Sequence, residues 1–373
     1  MTVIDSSYAG GAIELVSLPR RGPIRLALRG DTASEFSQWF AFRIIDERQQ
    51  PREIVLVDVD DSSYPGGWSS YRPMVSHDGG RTWTRARAEK READLTILHE
   101  PRSPVTEYAY FAPYGLERAQ AEIGRAARRP WVEAVHVGDS IEGRPLHLAR
   151  IGESERERAI WVLARQHPGE SPASWAAEGL LRRLAQRDDE AAQAVLEQAT
   201  VYLVPIVNVD GVELGNHRTN AAGVDLNRAW DDPESAPEVA ALLAAIEATE
   251  PVAFIDLHAD ETAPFAFAAT SEGNPSYDEE IEQQESMLLD TLARLSPDFV
   301  EEAYYGRDEP GEADLSTAAN QIGERYHIPA FTLELPITHA GQGRIRNGWS
   351  HLRARRLGGD LVEMLAAWLD HFS

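Results

Sequence analysis

His167 and Glu170 stand in the run Arg165-Gln166-His167-Pro168-Gly169-Glu170, an H-x-x-E spacing. In a tight turn that spacing can bring an imidazole and a carboxylate onto one metal ion. The chain has no cysteine, so a metal here must be held by His, Asp or Glu. His258, further along, is the expected third donor. Two His and one Glu around an open fourth position make a catalytic zinc arrangement. The open position holds a water, whose pKa the ion lowers towards ~7. On its own H-x-x-E is a common coincidence. It gains weight from a second motif, the loop Gly215-Asn216-His217-Arg218 through Gly223-Val224-Asp225-Leu226-Asn227-Arg228-Ala229-Trp230. Its arginines and amides suit an anionic ligand, because a guanidinium engages a carboxylate through parallel hydrogen bonds. His217, inside the loop, is a candidate for orienting it. The other histidines read as packed or surface groups.

These side chains follow strand-like runs. Residues 159–164 lead to His167, 201–207 to Asn208 and Asp210, 254–257 to His258, and 331–333 to Glu334. Helical patterns lie between them, at 116–128, 174–184 and 238–248. The alternation predicts an α/β sheet with helices on both faces. Ligands bind beyond the carboxyl ends of strands in such sheets, so the four strand ends predict one shared cleft. The first 115 residues read differently. Aromatic and β-branched runs at 39–45, 54–59, 95–98 and 108–111 are separated by turn clusters, which predicts a small antiparallel β-sandwich. The character changes near Pro113-Tyr114. The expected organisation is therefore a sandwich over 1–115 and a catalytic domain over 116–373. Ser76-His77-Asp78-Gly79-Gly80-Arg81-Thr82-Trp83 fits the Asp-box pattern of sialidases, but it occurs once and reads better as a stabilised hairpin turn.

The motifs together resemble the cytosolic carboxypeptidase branch of the M14 zinc carboxypeptidases. The quoted His-Pro-Gly-Glu-Ser, Gly-Asn-His-Arg and Gly-Val-Asp-Leu-Asn-Arg-Ala-Trp runs carry the resemblance. Asp256-Leu257-His258-Ala259-Asp260-Glu261 and Thr332-Leu333-Glu334-Leu335-Pro336 fall where that family places its third ligand and catalytic Glu. Residues 38–43 and 110–118 are similar to that branch's sandwich and junction. Residues 348–350 with 353–359 resemble its closing segment, so the likeness covers nearly the whole chain.

The resemblance implies a mixed-sheet carboxypeptidase domain with one zinc ion per chain on His167, Glu170 and His258. It implies Glu334 as general base, acting through the zinc-bound water on a C-terminal peptide or isopeptide bond. Arg218 would polarise the scissile carbonyl, and Asn227 with Arg228 would clamp the terminal carboxylate. Tyr304 and Tyr305 are the candidates for a mobile substrate-binding tyrosine, Tyr305 being the one carried forward. Two departures stand out. Gly169 replaces the arginine of secreted members, and Ala259-Asp260-Glu261 resembles bacterial rather than animal members. The latter argues against tubulin-type substrates.

A chain of 373 residues is long for one core and fits two domains. Its formal charge of −25 repels phosphate backbones, so nucleic acid is not an expected partner. No apolar run reaches the length of a membrane span. The start, Met1 to Asp5, lacks the pattern of a secretory signal, and the absence of cysteine fits the cytoplasm. A peptide or protein C-terminus is the expected partner, and an oligomer is possible. Arg307, Arg344 and Arg346 could favour acidic substrate side chains, although surface positions are the plainer reading. The same site could instead serve a deacylase or amidase of N-acyl amino acids or cell-wall peptides. A non-catalytic binding module would be expected to lack a ligand or the base, and none is lacking.

Overall fold

Short aromatic and β-branched runs become strands at both ends of the sequence-read organisation. The computed structural model describes residues 2–152, 158–301, 304–306, 308–338 and 348–372. Ten strands come first: β1 (Val3–Asp5), β2 (Glu14–Ser17), β3 (Ile24–Ala27), β4 (Ala41–Ile45), β5 (Arg52–Val57), β6 (Met74–Ser76), β7 (Thr84–Arg85), β8 (Ala88–Arg91), β9 (Asp94–His99) and β10 (Val105–Ala109). They form two five-stranded sheets, β1-β4-β10-β6-β7 and β2-β3-β5-β9-β8. All neighbours are antiparallel except β3 and β5. Between those two the chain crosses to β4 in the other sheet, and that crossover returns it in the same direction. Phe40, Phe42, Trp68, Tyr71, Tyr108 and Tyr110 are buried, with ring pairs such as Trp68–Tyr71 at 4.9 Å and Phe42–Tyr108 at 5.4 Å. The Asp-box-like run is the turn between β6 and β7. Asp78 Oδ1 accepts from the Arg81 and Thr82 amides, and Trp83 Nε1 donates to Gly80 O.

After α1 (Leu116–Ala126) come β11 (Val132–Asp139), β12 (Pro145–Ile151), β13 (Arg158–Ala164), β14 (Thr200–Val204), β15 (Glu250–Asp260), β16 (Phe267–Ala269) and β17 (Ala330–Pro336). They make one mixed sheet in the order β11-β12-β14-β13-β15-β17-β16. The central β14, β13, β15 and β17 are parallel. The flanking β11, β12 and β16 are antiparallel. Parallel strands are covered on both faces, and from Ala159 to Ala164 every residue of β13 is buried. The cover comes from α2 (Ser171–Leu184), α3 (Glu190–Gln198), α4 (Val209–Leu214), α5 (Pro237–Glu247), α6 (Glu279–Leu295), α7 (Ala318–Tyr326) and α8 (His351–His371). Among the described residues no helix is long and apolar enough to cross a membrane.

Two details correct the idea of four reactive strand ends. β15 runs on to Asp260, so His258 lies within the strand, directly paired with Glu334 of β17. The 201–207 run ends as a strand at Val204 and gives the site no side chain of its own. Asn208 caps α4 and donates to Gln166 O, while Asp210 accepts from Ser140 and Arg144. This end braces the cleft.

α2 starts next to Glu170 and is seated by α8 at very close range. A Cβ on Gly179 would meet Arg355 O at 1.9 Å, and one on Gly358 would meet Ala176 O at 1.9 Å. Only glycine permits this backbone approach. Gly358→Ala is expected to destabilise the protein by about 1–3 kcal/mol or more through overpacking. Urea or thermal unfolding reads this directly. An unchanged midpoint would mean that the helices have room to part.

Candidate active site

The turn after β13 is built under strain. Arg165 holds a left-handed φ of 67°, uncommon for a residue with a Cβ. Its buried guanidinium donates to Pro168 O at 2.6 Å and to Tyr114 O and Ser174 Oγ at 3.2 Å. Burial lowers its pKa to about 9, so it remains a cation at neutral pH. Gly169 follows, and a Cβ there would stand 2.2 Å from His217 Nδ1. That contact explains why no side chain occupies this position between the two candidate ligands. α2 then begins, leaving Glu170 at its cap.

Glu170 reaches both imidazoles. Its Oε1 is 2.6 Å from His167 Nδ1, and its Oε2 is 2.9 Å from His258 Nδ1. The two Nδ1 atoms are 3.2 Å apart. Each ring has a carboxylate on its far nitrogen: Asp225 at 3.0 Å from His167 Nε2, and Asp256 at 2.9 Å from His258 Nε2. An Nε2–H that donates to a carboxylate leaves the Nδ1 lone pair facing inward. Two inward lone pairs beside a carboxylate repel one another unless a cation sits among them. Burial opposes charge on His258, yet Asp256 and Glu170 raise its pKa well above the usual value, so the surroundings favour positive charge. The three donor atoms lie within 4.8 Å of each other and can hold one metal ion. The nitrogen and oxygen donors fit zinc.

Arg218 lies one hydrogen bond from this cradle. Its Nε donates to Asp225 Oδ2 at 2.7 Å, and its Nη1 donates to Tyr64 Oη at 2.5 Å. Phe36 lies under the guanidinium at 5.4 Å. Asp31 accepts from the amides of His217, Arg218 and Thr219 at 2.5–2.9 Å. Asp31, Phe36 and Tyr64 all come from the sandwich. Sequence reading missed them because nothing local marks their approach to a loop so far along the chain. Asp225 and Asp256 stood within quoted motifs; Asp256 lies two residues before His258, whereas Asp225 is 58 positions from His167 and carried no local signal. His217 is buried against Gly169 and the rings of Tyr64 and Tyr110, with Nε2 2.9 Å from Glu261. It therefore joins the sandwich to the ligand turn.

The remaining candidates line one cavity of about 410 Å³ that contains Asn227, Arg228, Tyr305 and Glu334. Glu334 is buried, and its Oε2 has no hydrogen-bond partner among the described residues. Burial first, then the nearby acids Glu170, Asp260 and Glu261, raise its pKa well above the carboxylate range, with His258 opposing. Asn227 Oδ1 accepts from Ala318 N at 2.8 Å. Its Nδ2 is 3.4 Å from His258 Nε2. That nitrogen already carries a proton for Asp256, so it cannot accept and the amide hydrogens stay available. Arg228 Nη1 donates to Asn227 O, and Nε is 3.4 Å from Asp314. Tyr305 Oη donates to Asp260 at 2.7 Å, and its ring meets Phe267 at 4.8 Å. Tyr304 bonds Thr262 instead. Arg307, Arg344 and Arg346 lie outside the described residues.

The sequence profile of the zinc carboxypeptidases, peptidase family M14, matches residues 125–341. The chain belongs to this family. The profile of the cytosolic carboxypeptidase N-terminal domain matches residues 4–111. A metallo-carboxypeptidase from Burkholderia cenocepacia superposes with a TM-score of 0.95 at 35% identity, over 100% of both chains. One from Pseudomonas aeruginosa, in complex with (2-guanidinoethylmercapto)succinic acid, gives 0.93 at 36%, again over 100% of both. Human cytosolic carboxypeptidase 6 is 26% identical over 332 residues, 80% of this chain and 64% of that protein. This M14 member is a metallocarboxypeptidase, as its motifs imply.

Removing the acid behind a ligand should loosen the ion. Asp256→Ala is expected to weaken zinc binding about 10–100-fold, read by competition with a chromogenic chelator. Wild-type affinity in that variant would show that His258 is oriented by something else.

Proposed function

We propose that this metallocarboxypeptidase removes the last residue from a peptide, or from a chain joined through a side-chain amide, with Glu334 as general base. The observation that supports this most is Glu334 itself: a buried carboxylate with an unpartnered oxygen, paired across strands with the candidate ligand His258. His167, Glu170 and His258 would hold the zinc ion, which when bound supplies Lewis acidity and a more acidic water.

Glu334 takes a proton from the attacking water and delivers it to the leaving amine. Arg218 donates to the oxyanion that develops on the scissile carbonyl, at a guanidinium already aimed by Asp225 and Tyr64. Arg228 and the Asn227 amide clamp the terminal carboxylate. Tyr305, at the cavity wall, closes over the substrate. The ligand of the Pseudomonas aeruginosa protein joins a dicarboxylic acid to a guanidine. A site that takes such a molecule offers partners to carboxylates, as the Arg228 region does here. A cytoplasmic setting fits relatives named cytosolic carboxypeptidases and the cysteine-free chain.

Peptides paired with their C-terminal amides provide the test. The zinc-loaded enzyme is expected to release the last residue from free acids and to leave amides intact. Equal cleavage of both would favour the amidase reading. Glu334→Gln should keep zinc and substrate binding while kcat falls about 10²–10⁴-fold, because only proton transfer is removed. Wild-type turnover would remove Glu334 from its role. Arg228→Ala should raise KM and erode the preference for acids over amides, and an unchanged KM would place the carboxylate anchor elsewhere.

A further inference from the structure

Gln166 stands between the strained Arg165 and the candidate ligand His167, and it is wholly buried. The turn that sets His167 therefore also fixes where Gln166 starts. Its backbone carbonyl accepts from Asn208 Nδ2 at 3.0 Å, which holds the main chain on the side of α4. Its side-chain amide reaches further. Nε2 donates to Asp256 Oδ2 at 2.5 Å and to Asn227 Oδ1 at 3.3 Å, and Oε1 accepts from Trp230 Nε1 at 2.8 Å. The turn after β13, the loop that carries Asn227 and Trp230, and strand β15 thus meet at one amide.

A single orientation of that amide satisfies its neighbours. An indole N–H can only donate, and a carboxylate can only accept. The oxygen must therefore face Trp230, and the NH2 must face Asp256. Turned round, Nε2 would confront the indole N–H, and Oε1 would confront the oxygens of Asp256 and Asn227. Both mismatches would be buried, where polar groups left unpaired are costly. Trp230 is itself held in place, buried, with its ring 6.2 Å from that of Phe254 and its backbone N–H donating to Ser316 O.

The constraint passes on in two directions. Asn227 Oδ1 accepts from Ala318 N at 2.8 Å and from Gln166, and both of these atoms only donate. Its oxygen is thereby occupied, and its NH2 is left for the substrate carboxylate. On Asp256, Oδ2 receives both the His258 ring and Gln166, while Oδ1 has no partner among the described residues. Gln166 is therefore the second hold on the acid that orients His258. Without it, that carboxylate would hang on the very ring it has to orient.

We propose that Gln166 is a positioning residue that fixes, with one amide, both the acid behind His258 and the Asn227 amide that receives the terminal carboxylate. It touches neither the ion nor the substrate and acts through Asp256 and Asn227. The proposal rests on the carboxypeptidase reading above and adds a residue to it.

The test uses the full-length protein. Gln166→Met keeps the length and bulk of the side chain and removes the amide. Zinc affinity, read by competition with a chromogenic chelator, is expected to fall about three- to tenfold, below the range for removing a ligand's direct partner. At saturating zinc, KM for a free-acid peptide is expected to rise about tenfold, as for one lost hydrogen bond, with kcat changed less. A purely structural role would lower the melting temperature and leave both readouts at their wild-type values. Double variants read the route. In the Asp256→Ala background Gln166→Met should cause no further loss of zinc affinity, and in the Asn227→Ala background no further rise in KM. Gln166→Glu keeps the shape and the bond from Trp230, and it serves where Met does not pack. Its second oxygen draws the Asn227 NH2 inward, so KM for the free acid should again rise, and KM does not depend on how much of the protein is folded. Either readout at its wild-type value in folded Gln166→Met would overturn the proposal and leave the carboxypeptidase reading standing. So would an unmoved KM in Gln166→Glu, or losses that simply add in the double variants. Equal cleavage of free acids and amides by the wild type would overturn that reading, and the proposal with it.

Discussion

Two imidazole nitrogens held 3.2 Å apart beside a buried carboxylate call for positive charge among them. Much of the surrounding structure serves to enforce that arrangement. Asp225 and Asp256 fix each ring by its outer nitrogen, so the inner nitrogens have no choice but to face one another. Arg165, strained and buried, ties down the turn that carries His167 and Glu170. Gly169 lets that turn lie against His217, and the Gly179–Gly358 contact lets α8 seat the helix that starts beside Glu170. Parallel pairing of β15 and β17 sets His258 beside Glu334 without any loop between them. A catalytic geometry carried by adjacent strands is more rigid than one carried by loops.

The sandwich belongs to this constellation. Asp31 collects three successive amides of the arginine loop, and Tyr64 receives the guanidinium of Arg218. Through Asp225 that guanidinium is linked to His167. The chain of contacts runs from one set of sheets, through a charged pair, to the metal cradle. Burial makes each link stronger and makes each lost partner costlier. The N-terminal portion thus has a structural reason to accompany the catalytic sheet.

Charge is distributed with a division of labour. Positive groups gather where an oxyanion or carboxylate is expected, at Arg218 and Arg228. Negative groups gather behind the ligands and around the cavity beyond Glu334. The strongly acidic composition of the chain hides this pattern, because a net charge of −25 says nothing of where the few cations stand.

The sequence alone determined the donor set, the arginine loop and the α/β alternation. Each is a local matter, since residue type fixes which atoms can bind a metal, and strand and helix periods repeat over a few residues. It also told the Asp-box-like run apart as a hairpin, because Asp78 and the two glycines act within a few residues of themselves. The parallel β3–β5 pair, the extension of β15 through His258, and the bracing role of Asn208 and Asp210 were decided by tertiary structure. So were Asp31 and Tyr64, whose partners lie more than 150 positions away. Such contacts carry no local periodicity, for they exist only once sets of strands distant in the sequence are packed together and buried polar groups must find partners across the join.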